Sequence, residues 1–290
     1  MKIAVIGANG QLGSDISRLF RKQGDDVINL NHDRFEVSEF ESVEAIIADI
    51  GPDVVVNTAA MHNVEACEDD PRQAFEVNGM GALNLALASN TVGYTLIHIS
   101  TDYVFDGCKK APYVESDKPN PLNAYGNTKL SGEFFIRNVA EKHFVLRVSG
   151  LYGLNPCRAK GGLNFVTLML KLAEEREEVR VVDDEVLTPT YTEDIARQIL
   201  ALVDTDAYGL YHVTAQGSCS WHGFAKSIFE LTDASVKLSV ANPDEFPSKV
   251  SRPKYSVLEN RALQSAGVDM MPHWREGLEK YLIKIQRIEK

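Results

Sequence analysis

The stretch Lys2-Ile3-Ala4-Val5-Ile6-Gly7-Ala8-Asn9-Gly10-Gln11-Leu12-Gly13 decides the fold class of this chain. Its first half is an apolar run typical of a strand buried on both faces. Apolar residues then recur at helical spacing from Ile16 to Phe20. The glycines between these two segments allow a tight turn, close approach of backbone to a pyrophosphate, and close packing of the helix on the strand. Because a helix N-terminus offers N–H groups and partial positive charge to phosphates, the stretch predicts a dinucleotide site.

Segments typical of strands and helices alternate through the first half of the chain. This alternation predicts an α/β fold with a Rossmann-type doubly wound parallel sheet. Ligands of such sheets lie at the carboxyl ends of the strands, where Asn57-Thr58-Ala59-Ala60 and Ser100-Thr101 fall. The predicted strands are residues 3–6, 27–30, 54–57, 95–100 and 144–148, and the predicted helices are residues 43–47 and 74–89.

After Gly153 the regular alternation weakens, which indicates a smaller α/β domain built from discontinuous pieces. We expect Thr192-Glu193-Asp194 to cap a helix that runs to Val203. The other expected elements are helices at 165–174, 221–231 and 274–288, and strands at 179–182, 211–213 and 236–240. Residues 1–153 plus about 183–213 would form an NAD(P)-binding Rossmann domain, and about 154–182 plus 214–290 a smaller substrate-binding domain. The cleft between them is the expected substrate site.

Composition excludes several classes of function. The net charge of −11 argues against a nucleic-acid partner, which requires a basic face. The four cysteines are scattered without a C-x-x-C pair, so we interpret them as reduced thiols of a cytoplasmic protein. The N-terminal strand leads directly into the glycines, which is unlike a signal peptide. No apolar run reaches the ~18–20 residues that a membrane span needs.

The stretch Tyr125-Gly126-Asn127-Thr128-Lys129 is a candidate for acid–base chemistry. Residues four apart share one face of a helix, so the phenol and the ammonium can point at one spot. A nearby positive charge favours the phenolate and would lower the tyrosine pKa from its usual ~10 towards neutrality. Such a pair can pass a proton to or from a substrate oxygen. The spacing also arises by chance, so by itself it remains a hypothesis.

Three motifs that occur in order carry a resemblance. They are Gly7-x-x-Gly10-x-x-Gly13, Ser100-Thr101-Asp102-Tyr103-Val104-Phe105-Asp106-Gly107 and Tyr125-x-x-x-Lys129. The chain resembles an extended short-chain dehydrogenase/reductase, and in detail the dTDP-4-dehydrorhamnose reductase family. The match covers essentially the whole chain. It continues at Asn57-Thr58-Ala59-Ala60, Val77-Asn78, Val181-Val182-Asp183-Asp184, Pro189-Thr190, Cys219-Ser220-Trp221 and Arg252-Pro253-Lys254-Tyr255-Ser256.

The resemblance implies an NAD(P)H-dependent reduction of the 4-keto group of a nucleoside-diphosphate sugar. In its most specific form the reaction converts dTDP-4-dehydro-L-rhamnose to dTDP-L-rhamnose. Tyr125 would protonate the oxygen that develops negative charge, and Thr101 would donate a hydrogen bond to that oxygen. Lys129 would lower the pKa of Tyr125 and hydrogen-bond the nicotinamide ribose. These three are the expected catalytic residues.

The resemblance also implies a set of cofactor contacts. After the second strand, an acidic residue would bind a ribose 2′-OH, whereas an arginine would accept a 2′-phosphate. Asp33 and Arg34 are both present, and we expect NADPH with NADH tolerated. The expected cofactor-binding residues are Gly7, Asn9, Gly10, Gln11, Leu12, Gly13, Arg34, Ala59, Ala60, Asn78, Tyr125 and Lys129.

Two departures from the family pattern bear on the sugar. The family commonly has a tryptophan where this chain has Gly150, and His/Tyr-Thr where this chain has Met61-His62-Asn63-Val64. Loss of an indole removes a stacking surface, and His62 adds a titratable group, so we expect a changed or widened sugar pocket. The expected substrate residues are His62, Val64, Thr101, Asp102, Tyr103, Gly150 and Arg252, and the cations considered for the diphosphate are Arg147, Arg158, Lys160, Arg252 and Lys254.

Several alternatives stay open. Asp15 and Glu193 match two positions that bind Mg²⁺ at a dimer contact in some family members, but a metal needs more ligands, and we assign none. A homodimer is one assembly that the resemblance allows. The chain resembles epimerases and dehydratases on nucleotide sugars as well, although Tyr103 stands where dehydratases carry glutamate. A different 4-keto sugar is a further alternative, as is a non-catalytic regulatory subunit like the relatives that bind methionine adenosyltransferase.

Overall fold

Short strands and helices alternate along the chain, and the computed structural model describes residues 1–157, 161–242, 245 and 248–289. The strands are β1 (Lys2–Ile6), β2 (Asp26–Leu30), β3 (Val54–Asn57), β4 (Thr95–Thr101), β5 (His143–Val148), β6 (Leu151–Tyr152), β7 (Glu178–Val181), β8 (Val186–Leu187), β9 (Thr190–Tyr191), β10 (Gly209–His212), β11 (Cys219–Ser220) and β12 (Lys237–Val240). The helices are α1 (Gln11–Gln23), α2 (Phe40–Ile50), α3 (Val64–Asp69), α4 (Pro71–Phe75), α5 (Gly81–Val92), α6 (Ala124–Val139), α7 (Phe165–Glu175), α8 (Thr192–Val203), α9 (Trp221–Leu231), α10 (Arg261–Ser265) and α11 (Trp274–Lys284). A π-helical turn (Glu76–Met80) joins α4 to α5, and a 3₁₀ turn (Asp102–Val104) follows β4.

The main sheet confirms the predicted fold class. Six strands lie in the order β10-β5-β4-β3-β1-β2, and every neighbouring pair is parallel. In this order β2 lies on one side of β1, and β3 and the strands that follow it lie on the other side. The strand order therefore reverses between β1 and β3, and ligands of open α/β sheets bind in the crevice at such a reversal.

Helices cover both faces of this sheet. Side chains alternate along β1, so that Ile3 and Val5 face one layer while Ala4 and Ile6 face the other. The first layer contains α1, α8 and α10, and the second contains α2, α5 and α6. Because both faces are buried, the strands consist of nearly continuous apolar residues.

A third apolar cluster lies outside the main sheet. It is built from α7, α9, α11 and the pairs β7–β12 and β6–β9. Within it, the rings of Tyr152 and Tyr191 are stacked, and the ring of Tyr281 meets both edge-on. The chain enters this cluster after β5, leaves it for α8 and β10, and returns at β11. The domain boundaries proposed from the sequence stay a prediction.

Three local expectations differ from the structure. Thr192 does not cap α8: the N-cap is Tyr191, and the Thr192 hydroxyl donates instead to Asp15 Oδ2 at 2.6 Å. The last helix ends at Lys284, four residues earlier than expected. The short helices α3 and α10 were not predicted, because five or six residues show too little periodicity. Among the described residues, no helix has the length and apolar character to cross a bilayer.

A buried ion pair joins α6 to β5. Glu133 and Arg147 are 0% and 1% exposed, and Arg147 donates through Nε and Nη2 to the two carboxylate oxygens at 2.9 and 2.7 Å. Ser100 donates to the same carboxylate at 2.5 Å, and the guanidinium lies 5.0 Å from the ring centre of Phe105. Each charge is therefore compensated inside the core.

We predict that Glu133→Gln destabilises the protein by about 3–5 kcal/mol, because the charge of Arg147 would remain buried without its partner. The measurement is the free energy of unfolding in urea. Glu175→Gln is the matched control: it breaks the exposed Lys171–Glu175 pair on α7 and should change stability by no more than about 0.5 kcal/mol. A loss below about 1 kcal/mol for Glu133→Gln would contradict the assigned role of the pair.

Candidate active site

The glycine loop between β1 and α1 is shaped for close contact with backbone. Gly7 has φ +75°, and a Cβ there would come 2.7 Å from Thr58 Oγ1 at the end of β3. A Cβ on Gly13 would overlap the Gly7 carbonyl oxygen, so only glycine lets α1 pack this closely on the turn. The N-cap of α1 is Gly10, whose missing side chain leaves the first N–H groups of the helix available. This cradle fits the pyrophosphate of a dinucleotide.

A cleft of about 300 Å³ opens at this loop. It extends from the glycine loop past the carboxyl ends of β3, β4 and β5 to α7 and α9 of the third apolar cluster. The predicted site residues that line it are Gly10, Gln11, Leu12, Gly13, Ala60, His62, Val64, Thr101, Asp102, Tyr103, Tyr125, Lys129 and Gly150.

The three predicted catalytic residues meet in this cleft. Thr101 is the last residue of β4, while Tyr125 and Lys129 lie one turn apart on α6. Asn123 caps α6 by accepting from the Gly126 N–H at 2.9 Å, so the helix begins just before the tyrosine. The Thr101 hydroxyl donates to Asp102 Oδ1 at 3.1 Å.

The expectation that Lys129 lowers the pKa of Tyr125 is wrong. Burial raises the pKa of Tyr125 above its ordinary value, and a hydrogen bond from Thr101 opposes this only in part. Burial also lowers the pKa of Lys129 to about 8, against the effect of Glu133. The Lys129 Nζ group donates to the Ile99 carbonyl at 2.6 Å. The phenol is therefore protonated at neutral pH and suited to donate a proton.

Two predicted cofactor residues, Asn78 and Arg34, are not among the residues that line the cleft. Asn78 is buried and does not line the cleft. Its side-chain oxygen accepts from the Met61 N–H, and its side-chain nitrogen donates to the Met61 carbonyl and, at 3.0 Å, to Thr128 Oγ1. Its contacts hold the loop after β3 against α6, and its assignment as a direct cofactor contact stays a prediction. Arg34 is 84% exposed just after β2, with only a 4.0 Å approach to Asp33.

Gly7, Asn9, Ala59 and Arg252 complete the predicted set. The first three lie in or beside the turns after β1 and β3, at the edge of the residues that line the cleft. Arg252 forms an ion pair with Glu65 of α3, and its Nε is buried without a partner among the described residues. The neighbouring Pro253 lines the cleft, so Arg252 lies near the sugar side.

The structure bears on two of the four other cations considered as contacts for the diphosphate. Arg147 is wrong as a substrate contact, because it is buried and paired with Glu133. Lys254 forms an ion pair with Asp184. Arg158 and Lys160 lie outside the described residues.

Asp102 joins three segments at the floor of the cleft. Its carboxylate accepts from Ser149 after β5 at 2.8 Å and from Ser256 at 2.6 Å, besides Thr101. Burial raises the pKa of Asp102, and these hydrogen bonds oppose the rise. The sequence motif identified Asp102, but the two serines that hold it were not predicted, since they are distant in sequence.

Gly150 does not leave the open space that the exchange of a tryptophan suggested. Its φ is +58°, and a Cβ there would lie 2.8 Å from Leu187 Cδ1 and 3.0 Å from both Thr188 O and Pro189 Cα. The Leu187 side chain lines the cleft at this point. An aliphatic wall therefore lies beside Gly150, and the expected change of the sugar pocket stays a prediction.

Sequence reasoning missed an aromatic wall beside the β8–β11 pair that carries Leu187. Phe165 and Trp221 line the cleft with ring centres 4.6 Å apart, and the Trp221 indole N–H donates to Glu185 at 3.2 Å. Phe165 is the first residue of α7, and Trp221 is the first residue of α9. The resemblance to the family at Cys219-Ser220-Trp221 was the signal that could have identified Trp221, but no role in the site was assigned from it.

Asp15 and Glu193 do come together, as their match to a metal site suggested. Arg18 lies between them and donates to Asp15 at 2.6 Å and to Glu193 at 2.8 Å. Arg197 donates to the other Glu193 oxygen at 2.7 Å. The described residues contain no group of three or more side chains suited to a metal, and we assign none.

Known proteins resemble this chain along its full length. The family model described as RmlD substrate binding domain matches residues 1–287. The spore coat polysaccharide biosynthesis protein SpsK of Bacillus subtilis (strain 168) is 40% identical over 281 residues, which cover 97% of this chain and 96% of that protein. The crystal structure of a dTDP-4-dehydrorhamnose reductase from Clostridium acetobutylicum has 40% identity and a TM-score of 0.94, covering 99% of this chain and 100% of that one. The Bacillus anthracis str. Ames dTDP-4-dehydrorhamnose reductase in complex with NADP has 37% identity and a TM-score of 0.93, covering 98% and 99%.

We predict that Gly150→Ala destabilises the protein more than Gly267→Ala. Both glycines have positive φ, which costs an alanine about 1–2 kcal/mol. Gly267 has nothing within 4 Å of an added Cβ, whereas Gly150 faces Leu187, so only Gly150→Ala adds about 1–3 kcal/mol of overpacking. Urea unfolding measures both; equal losses would show that the contact with Leu187 is not tight.

Proposed function

Because the chain belongs to the RmlD substrate-binding-domain family, that of the dTDP-4-dehydrorhamnose reductases, we propose that it reduces the 4-keto group of a nucleoside-diphosphate sugar with NADPH. The observation that carries the proposal is the convergence of Thr101, Tyr125 and Lys129 in a cleft that begins at the glycine loop. A proton donor and a second hydroxyl beside a dinucleotide cradle are the groups that carbonyl reduction needs.

The residues of the cleft have distinct tasks in this reaction. NADPH, when bound, supplies the hydride that the carbonyl carbon receives. Tyr125 donates its phenol proton to the carbonyl oxygen, because its raised pKa keeps it protonated. Thr101 turns its hydroxyl from Asp102 to the same oxygen and stabilises the developing charge. Lys129, whose pKa burial lowers to about 8, returns a proton to Tyr125 after each turnover.

The sugar most strongly supported is dTDP-4-dehydro-L-rhamnose, which gives dTDP-L-rhamnose. Arg252, with its unpartnered Nε beside the cleft, is the candidate contact for the diphosphate. A different nucleotide 4-keto sugar is the second candidate, because Gly150 and Leu187 replace an aromatic surface and His62 is exposed at the rim. The intact Thr101, Tyr125 and Lys129 weigh against a purely regulatory role.

We predict that Tyr125→Phe lowers kcat for NADPH-dependent reduction of dTDP-4-dehydrorhamnose by at least about 100-fold, because the proton donor is lost. NADPH affinity, measured by fluorescence titration, should stay within a few-fold of wild type. Tyr208→Phe is the matched control, since that phenol contacts Asp206 outside the residues that line the cleft, and it should leave kcat unchanged.

The same assay over a panel of 4-keto nucleotide sugars tests the choice of sugar. Faster turnover of another sugar would favour the second candidate. Activity that survives Tyr125→Phe would remove the acid role from Tyr125, and failure to turn over any sugar would favour the regulatory alternative.

We predict that Arg34→Ala weakens NADPH binding by roughly 10-fold or more, the usual worth of a charge-assisted hydrogen bond to phosphate. NADH lacks the 2′-phosphate, so its affinity should not change. Arg137→Ala on α6 removes another exposed arginine and serves as the control. Wild-type protein that binds NADH much more tightly than NADPH would contradict the proposed cofactor.

A further inference from the structure

A buried line of polar groups runs from β3 through β4 to Lys129. Asn57, His98 and Lys129 are each no more than 2% exposed. The Asn57 side-chain amide nitrogen lies 3.0 Å from His98 Nδ1, and His98 Nε2 lies 3.2 Å from Lys129 Nζ. Neither Asn57 nor His98 lines the cleft, and the proposed reaction uses neither directly.

The direction of these hydrogen bonds follows from Asn57. The Ala59 N–H donates to Asn57 Oδ1 at 3.1 Å, which leaves the amide NH₂ group facing His98. An NH₂ group only donates, so His98 Nδ1 must accept. Neutral imidazole carries a single proton, which therefore lies on Nε2 and points at Lys129.

The contact between His98 and Lys129 then depends on the charge of the lysine. An ammonium group has no lone pair, whereas a neutral amine can accept from the Nε2–H. Lys129 still donates a hydrogen to the Ile99 carbonyl. With a charged lysine, the Nε2–H of His98 would face the N–H groups of the Lys129 ammonium, and both would be donors. If His98 instead carried its proton on Nδ1, that N–H would face the NH₂ group of Asn57, which is also a donor.

We infer that His98, held in its Nε2–H tautomer by Asn57, is a positioning residue that holds Lys129 at the Ile99 carbonyl and favours the uncharged amine of Lys129. The burial of both groups acts in the same direction, since it lowers the pKa of Lys129 to about 8 and keeps the pKa of His98 well below its usual value. The meaning of this arrangement for catalysis rests on the proposed function.

The other titratable groups around Lys129 do not replace His98. Glu133, one turn further along α6, raises the pKa of Lys129, but its carboxylate is paired with Arg147. Cys67 of α3 also acts to raise it, yet burial raises the pKa of that thiol to about 11, so the thiol is neutral at working pH. His98 is the group in contact with Lys129 that stabilises the neutral form.

A lysine that titrates near the working pH can both give a proton to Tyr125 and recover one, which an ordinary lysine with a pKa near ~10.4 does poorly. His98 therefore acts on the reaction through Lys129. Reduction should become slower above pH about 8 as Lys129 loses its proton. Without the donor on His98, this decline should move to higher pH.

The first test uses the wild-type protein. Nitrogen-15 NMR of the histidine side chains, with His98 assigned by comparison with His98→Gln, reports which ring nitrogen carries the proton. We expect a proton on Nε2 and none on Nδ1 from pH 6 to pH 9. A proton on Nδ1 in this range would overturn the inference. The tautomer is measured on the wild-type protein, and the variant serves only to assign the signal.

The second test follows the titration of Lys129 by NMR of protein labelled with carbon-13 at the lysine side chains. His98→Leu removes the donor, so the Lys129 midpoint should rise by roughly one pH unit or more. His98→Gln keeps an N–H near the Nε2 position and should stay within a few tenths of wild type. His143→Leu is the control, because that histidine bonds Ala140 at the start of β5.

An unchanged Lys129 midpoint in folded His98→Leu would overturn the inference. Neither NMR measurement uses a sugar substrate, so the inference about His98 and the proposed function are tested independently. The NMR results can contradict the inference while the reductase assay supports the function, and the assay can fail while the NMR results agree. Where His98→Leu shifts the midpoint, the pH profile of kcat should shift with it while KM for the sugar stays constant. A purely structural role would lower the folded fraction without moving either midpoint.

Discussion

The close packing of α6 against the sheet is the constraint on which the site depends. Lys129 donates to the Ile99 carbonyl at 2.6 Å and so ties the helix to β4. Glycines make the approach possible, because a Cβ on Gly126 would overlap the Tyr103 carbonyl and one on Gly132 would crowd the Asn78 carbonyl. A proton donor on a helix thereby reaches the end of a strand, and small residues on α6 decide the distance.

The buried polar groups beneath the cleft have ion-pair or hydrogen-bond partners within the protein. Glu133 is compensated by Arg147, Asp102 accepts from serines of two separate segments, and His98 lies between an amide and a lysine. Buried polar groups are costly unless each finds a partner. Because these groups are satisfied within the protein, they keep the strand ends rigid, and the groups that face the cleft remain available to ligands.

The two sides of the cleft differ in how directly chemistry constrains them. On the sheet side, turns and glycines leave little freedom, and a dinucleotide cradle requires the same geometry whatever the sugar. On the side of α7 and α9, the wall is made of side chains that include Phe165, Trp221 and Leu187. A change of sugar would need changes on this second side only, where Leu187 also lies against Gly150.

The sequence by itself determined the parallel sheet, the glycine loop and the choice of Thr101, Tyr125 and Lys129 as site candidates, because strand–turn–helix order and short motifs are local signals. The tertiary structure alone decided that the pKa of Tyr125 is raised, because this shift comes chiefly from burial of the phenol. It also decided that Arg147 is a core residue and that Asn78 holds a loop. Such outcomes depend on partners that are distant in sequence, and no local pattern specifies which of them will meet.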